Sequence, residues 1–401
     1  MSSDCHSFRV IYENEDLVVV NKPHDVPMDG EEYPITVEKW ALSHLENTSS
    51  MTTNTNKDEN TSLNAKDKQM DGKKRVKFVH QLDYATSGVL CVAFSREMAA
   101  RLSHCFEMRT TQKAYLAILR GIIPPLKKES CSCGDGNSNS DRKCISAGVE
   151  CYIKSTYSNA VRIVTLDELP NADFIQMCIS DAVSSNSNNK KNNNEEMHMD
   201  EISSSFLIAI DLPVGYDDSD PGGFRMAVNG RDARESLTYM YVLQRGYMRH
   251  PTEKTTIPVT KVILIPRTGR RHQLRVHCHT LGFPILGDVT YDAIASPKIV
   301  VIKTAEGKEE EIECMKEDMN WNNNATMHAN IWERMMLHAW RLSFPVSVEL
   351  LRCGMERYMQ KRKRRRVRLG LEAAISSETP VEWTHFKTED PFADYISKSP
   401  L

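Results

Sequence analysis

The stretch Phe78–Phe94, "FVHQLDYATSGVLCVAF", sets a polar turn between two apolar runs. Phe78–Val79 and Val89–Phe94 have the β-branched and aromatic content of strands. Between them, His80-Gln81-Leu82-Asp83-Tyr84-Ala85-Thr86-Ser87-Gly88 carries one acid, Asp83, backed by Thr86, Ser87 and Gly88. By itself an aspartate in such a turn reads as an Asx-type turn residue. The same carboxylate serves as nucleophile or base if a fold keeps it ionised and shielded from water.

Working outward, "FRVIYENEDLVVVNKP" at 8–23 alternates around a polar turn and predicts a β-hairpin ended by Pro23. After the opening stretch, "SREMAARLSHCFEMR" sets Met98, Leu102, Cys105 or Phe106, and Arg109 at helical spacing behind a Ser95 cap. "KAYLAILRG" then predicts a short strand closed by Gly121. From Phe78 to Gly121 the order is strand, loop, strand, helix, strand. Strand signals return at "FLIAIDLPVG", "ESLTYMYVLQRG" and "TKVILIP", and the last ordered element expected is "MMLHAWRLSFPV".

Residues 46–75 hold almost nothing that could be buried and are expected to form a disordered insertion. A second, irregular insertion is expected over 124–205. Its ends are low-complexity, and "CYIKSTYSNAVRIVTLDELP" within it has the makings of local structure. Residues 347–401 read as a polar tail bearing the basic run "KRKRRRVR" at 361–368. That run reads as a solvated face, an import signal or an RNA contact.

The chain has 401 residues with a formal net charge of −3 and 40% hydrophobic residues, enough for one large domain with insertions. No apolar run approaches bilayer length, so no membrane association is expected. The N-terminus lacks a cationic-then-apolar leader, and an intracellular protein of cytoplasm or nucleus is expected. Eleven cysteines, an odd number without a C-x-x-C pair, predict reduced structural thiols.

The second dense patch is "RTGRRHQLRVHCHTLGFPILGD" at 267–288. Leu274, Cys278 and Leu281 recur at helical spacing, with His272, Arg275 and His279 on the other face and Gly282 as a helix end. Thr268, Gly269, Arg270 and Arg271 precede the helix, where backbone N–H groups and cations favour anions. A metal reading of His272, His277 and His279 is weak, because the helix splits them and Arg275 repels a cation. The phosphate-loop, dinucleotide and H-E-x-x-H motifs are absent, so chemistry is expected from side chains.

Taken with these motifs, the chain resembles the pseudouridine synthases of the ribosomal large-subunit synthase A (RluA) type. His80–Gly88 resembles the active-site motif of that family, and "LVVVNKPHDVP" its first motif. "KAYLAILRG" resembles its Lys-x-Tyr strand, "TGRRHQLRVHCHTLGFPILGD" its third motif, and "MMLHAWRLSF" its closing segment. The resemblance covers about 8–123 and 206–346 and implies one α+β catalytic domain over 8–346, with a mixed, mainly antiparallel sheet and an RNA-binding cleft.

It also implies the chemistry. Asp83 becomes the nucleophile that breaks the uridine N1–C1′ bond, and uracil rejoins the ribose through C5. Arg275 is implied as the cation opposing Asp83, since an opposed cation keeps a carboxylate charged. Tyr115 is implied as the aromatic stacked on the flipped base. Substrate contacts are expected from His80, Gln81, Thr86, Ser87, Lys113, Arg270, Arg271, His272 and Gln273. No cofactor and no metal are implied. The partner is an RNA, whether rRNA, tRNA or mRNA, and a monomer is expected. One departure stands out: the family pattern is His-Arg-Leu-Asp, and this chain has Gln81 at the arginine. The rival readings are an RNA-binding protein with this fold and no catalysis, and a metal-dependent hydrolase built on the histidine-rich helix.

Overall fold

A computed structural model describes residues 7–52, 76–124, 160–188, 206–292, 301–303, 309–311, 332–345 and 382–399. Its first elements are β1 (Arg9–Glu13), β2 (Leu17–Lys22), α1 (Val37–Thr52), β3 (Lys77–Phe78), β4 (Ser87–Ala93) and α2 (Arg96–Glu107). Next come β5 (Gln112–Arg120), β6 (Val161–Thr165), α3 (Ala172–Asn188), β7 (Phe206–Asp211), β8 (Val214–Tyr216) and β9 (Met226–Val228). The remainder are β10 (Arg231–Arg234), β11 (Leu237–Arg249), β12 (Thr256–Pro266), α4 (Gln273–Thr280), β13 (Val301–Lys303), β14 (Glu309–Glu311), β15 (Leu337–Phe344) and β16 (Thr384–Lys387). The α+β class expected from the sequence is present. No helix among the described residues is long and apolar enough to cross a membrane.

By its internal contacts the chain divides into two compact units, Met1–Gln112 with Ala339–Thr388, and Lys113–His338 with Glu389–Leu401. The sequence reading treats 8–346 as one domain and 347–401 as a tail. The chain re-enters the first unit at Ala339 and the second at Glu389, and Phe386 and Phe392 in these segments are buried.

In the first unit β1 and β2 form the expected antiparallel hairpin, with Arg9 opposite Asn21 and a bulge between Val10 and Tyr12. Asn14 closes its turn by accepting the Asp16 N–H at 2.9 Å on Oδ1. β2 pairs with β4 from Leu17↔Ala93 to Lys22↔Gly88. All seven residues of β4 are buried, which explains its unbroken apolar run. Ser95 caps α2 by accepting the Met98 N–H at 3.2 Å. Met98, Leu102 and Cys105 then point inward, as their spacing predicts, and join Val89, Cys91, Leu342, Phe344 and Phe386 in one core. Phe386 belongs to β16, which lies inside the stretch read as tail and pairs with β15.

α1 reaches Thr52, so the first seven residues of the 46–75 stretch are helical. Val37, Ala41 and Leu45 make its buried stripe, and Thr36 Oγ1 accepts the Lys39 N–H at 3.0 Å. The Thr48 hydroxyl bonds back to the His44 and Leu45 carbonyls, which fits a polar sequence continuing the helix.

The second unit is built on the long antiparallel pair β11–β12, from Thr238↔Pro266 to Arg249↔Thr256. β5 adds to β12, with Tyr115 opposite Leu264. β7 adds to β11, and β6 adds to β7. β6 and α3 fall within the 124–205 segment read as irregular. Phe174, Ile175, Cys178 and Ala182 form a buried stripe on α3, which packs against β11 and β12. A smaller sheet, β10-β8-β9, lies beside α4.

The chain's last segment is bound in as well. Tyr247 and Ser397 exchange backbone hydrogen bonds of 2.8 Å. The fully buried Lys261 binds Asp390 and donates to the Phe392 carbonyl. The basic run 361–368 and residues 53–75, 125–159 and 189–205 lie outside the described residues.

Candidate active site

In the first unit, the loop after β3 turns at Asp83, whose carbonyl accepts the Thr86 N–H at 3.0 Å. That bond closes a four-residue turn, fixing the backbone that carries the carboxylate. Asp83 itself is half-buried. The turn is gripped from below by Lys22, at the end of β2. Its ammonium donates to the carbonyls of Pro23 (3.0 Å), Tyr84 (3.0 Å) and Thr86 (2.9 Å). Lys22 is fully buried, so these charge-assisted bonds offset its lost hydration.

Gly88 leaves the loop at φ +116, and a Cβ there would sit 2.2 Å from the Ala339 carbonyl oxygen. Only glycine allows both that conformation and that approach. His80 anchors the loop's other end. Its Nε2 accepts the Cys91 N–H at 3.0 Å, and its ring stacks on Phe106 of α2 at 4.8 Å. Thr86 and Ser87 are buried within the loop, while Gln81 and Tyr84 are exposed. Partial burial, with Asp25 and Tyr33 nearby, raises the Tyr84 phenol above its ordinary value, so it stays protonated at neutral pH.

In the second unit the side chains cluster around α4. Arg275 is buried and makes a bidentate pair with Asp288, Nε to Oδ2 at 2.7 Å and Nη2 to Oδ1 at 2.7 Å. Nη2 also donates to Thr290 Oγ1 at 2.8 Å, and the Tyr291 ring lies 5.0 Å from the guanidinium carbon. One edge of the guanidinium is thereby locked, which sets the direction of the other. Asp288 accepts further N–H groups from Thr290 and Tyr291, so the whole turn after Gly287 is organised on this carboxylate.

His272 precedes the helix in a left-handed conformation, φ 55, and shares a 2.9 Å hydrogen bond with the Tyr291 hydroxyl. Gln273, expected to touch substrate, is turned inward. Its Oε1 accepts from Thr268 Oγ1 and the Arg270 N–H, and its Nε2 donates to the Leu237 carbonyl and Thr238 Oγ1. An amide so engaged holds the loop in place rather than meeting a ligand.

Arg270 donates from Nε to the Glu235 carbonyl, and Arg271 is exposed. Tyr115 is half-buried on β5. Lys113, two residues earlier, donates to the Thr268 carbonyl at 3.3 Å. Enclosure of its ammonium, with Arg267 nearby, lowers its pKa to about 8.

His277 has both ring nitrogens in use, Nδ1 with Thr238 Oγ1 (3.0 Å) and Nε2 with the Leu212 carbonyl (2.9 Å). Burial lowers its pKa to about 4, so it is neutral. Binding a metal through it would break one of those bonds. No cluster of three or more metal-ligating side chains occurs among the described residues.

Sequence reasoning did not single out Lys22, Asp288 or Tyr291, although Lys22 and Asp288 lie inside motifs it quotes. A lysine closing the strand "LVVVNK", after the apolar run Leu17–Val20 and Asn21, was the available signal for the first. For Asp288 and Tyr291 no local pattern announces a partner, because the pairing is tertiary.

The family model for RNA pseudouridylate synthase matches residues 16–280. The chain belongs to the RNA pseudouridylate synthase family. It is similar to RNA pseudouridylate synthase domain-containing protein 1 of Mus musculus, 27% identical over 70% of this chain and 60% of that protein. The Homo sapiens protein of that name is 26% identical over 85% of this chain and 67% of its own length. The dual-specificity RNA pseudouridine synthase RluA of Vibrio cholerae is 26% identical over 56% of this chain and 53% of that enzyme. The chain thus spans about 60% of the mouse relative's length.

Proposed function

We propose that this chain isomerises specific uridines of a structured RNA to pseudouridine, with Asp83 as the nucleophile. The observation that carries the reading is the family match over 16–280, which takes in both the Asp83 turn and the Arg275 helix. Asp83 forms a transient bond to the bound nucleoside, N1–C1′ breaks, and the freed uracil rotates and joins C1′ through C5; the bond to Asp83 then breaks, the C5 proton leaves and N1 gains a proton. Atoms balance without any co-reactant.

Each residue has a task in that sequence. The backbone grip of Lys22 keeps the Asp83 turn from yielding when the carboxylate reacts. Arg275, its guanidinium held in one orientation by Asp288, offers a fixed planar donor to the bound nucleotide. Tyr115 offers a flat face to the extruded base, replacing the stacking lost on flipping. Arg270 and Arg271 supply phosphate contacts. Gln81, exposed on the loop, offers hydrogen bonds where the family pattern has an arginine, so RNA selection follows base edges more than charge.

The test is to incubate the purified chain with rRNA, tRNA and mRNA pools carrying tritium at uridine C5, and to measure release. Release from one pool supports the reading and names the substrate class. Tight RNA binding without release from any pool supports the non-catalytic rival instead.

A further inference from the structure

Phe224 is 52% exposed in the Asp217–Arg225 loop, although that loop is held firmly. Asp220 accepts the backbone N–H groups of Gly222 (3.2 Å), Phe224 (2.8 Å) and Arg225 (2.6 Å). Arg225 in turn grips Asp217 through Nε and Nη2. A phenyl ring displayed on a braced loop has paid its ordering entropy without gaining full burial.

Its neighbours are as telling. The Arg271 guanidinium lies over the Phe224 ring at 5.2 Å, and His272 meets it edge-on at 5.2 Å. On the same small sheet, Arg231 lies over the partly exposed Tyr216 at 5.8 Å. The loop's acids do not cancel this character. Asp217 is paired to Arg225, Asp218 lies 3.6 Å from Arg231, and Asp220 is spent on backbone donors, the Arg225 N–H foremost, which hold its carboxyl below the ordinary range.

We propose that Phe224 and Arg271 form a stacking site for an unpaired nucleobase of the substrate RNA, outside the position of the target uridine. The inference rests on the reading of this chain as an RNA-modifying enzyme. An aromatic face with an arginine beside it takes any base by stacking, while the guanidinium reaches the adjoining phosphate. The site lies beside the helix that carries Arg275. From Phe224 to His272, and from His272 through the Tyr291 hydroxyl and ring to Arg275, the side chains are in continuous contact. A base seated on Phe224 therefore registers the RNA on the same rigid element as the proposed active-site arginine.

The experiment measures affinity of the full chain for a fluorescein-labelled stem-loop RNA with a uridine-containing loop, and for the same RNA with single abasic nucleotides placed around that loop. Phe224→Ala and Phe224→Leu should each weaken binding roughly 5- to 100-fold, and Phe224→Trp should retain it. Melting temperature and the single-turnover rate at saturating RNA should stay unchanged. One abasic position should erase the difference between wild type and Phe224→Ala. Arg271→Gln should flatten the dependence of log affinity on log salt by about 0.7. Wild-type affinity in Phe224→Ala, full affinity in Phe224→Leu, or an equal loss on every abasic RNA would overturn the proposal. Affinity results that hold while no tritium is released leave this site standing and reject the catalytic reading alone. A wild-type chain that binds no stem-loop RNA rejects both.

Discussion

Arg275 and Asp288 form a bidentate pair with both side chains buried, two N–H···O bonds of 2.7 Å closing a planar ring. The pair joins α4 to the turn after Gly287 and decides which way the guanidinium points. Removing one member leaves a buried, unpaired charge, which costs about 3–5 kcal/mol.

Asp288→Asn should therefore lower stability by about 3 kcal/mol and reduce turnover, although position 288 is not proposed to touch RNA. Arg275→Lys should keep more stability than activity, because an ammonium lacks the planar fork. Chemical denaturation beside tritium release separates the two effects. Full activity in Asp288→Asn would show that this pair does not orient the arginine.

Lys22→Met keeps the apolar stem but leaves the Pro23, Tyr84 and Thr86 carbonyls without the ammonium. The expected cost is about 3 kcal/mol or more, with turnover falling further than the folded fraction. Comparing single-turnover rates at a temperature where the variant remains folded makes the distinction. A normal rate there would mean the turn holds its shape unaided.

Gly88→Ala should be among the most damaging small changes in the chain. The new methyl meets backbone rather than a movable side chain, and φ +116 is strained for any L-residue. The variant should fail to accumulate as folded protein, whereas Gly282→Ala, at φ +82 but with nothing within 4 Å of its Cβ, should carry the backbone strain alone and be milder. Equal melting temperatures for the two would contradict the close approach to Ala339.

His277 yields a pH prediction. Its pKa is about 4 when folded and near 6.5 when exposed. The unfolded chain takes up the proton first as pH falls, so stability drops from about pH 6.5 to about pH 4 and then levels. The loss attributable to this residue is about 3 kcal/mol. His277→Gln should flatten that limb of the urea-midpoint profile by roughly one proton. An unaltered acid limb would place the titration elsewhere.

Much of this was legible from local pattern. The β1–β2 hairpin, the capped α2 and the strand at β5 each follow from period and punctuation that act within a dozen residues. What escaped depends on distant partners. α1 carries a Thr36 cap and a Val37-Ala41-Leu45 stripe, yet its polar end merges into a segment with no burial signal. α3 was hidden by low-complexity neighbours, while β6, inside the stretch expected to form local structure, becomes a strand by pairing with β7. Lys22 looks like a strand end until three carbonyls are found around it. Asp83 was visible because it sits alone in its motif; the Asp288 that fixes Arg275 was not, because it lies 13 positions further along, past helix and turn.

The central claim is that Asp83 is the nucleophile. The most direct measurement is single-turnover tritium release from C5-labelled RNA by wild type, Asp83→Asn and Asp83→Ala, with RNA affinity measured alongside. Wild type should release tritium, while both variants should bind RNA within a few-fold of wild type and release none, because neither an amide nor a methyl group can attack. Turnover in Asp83→Asn or Asp83→Ala would contradict the assignment.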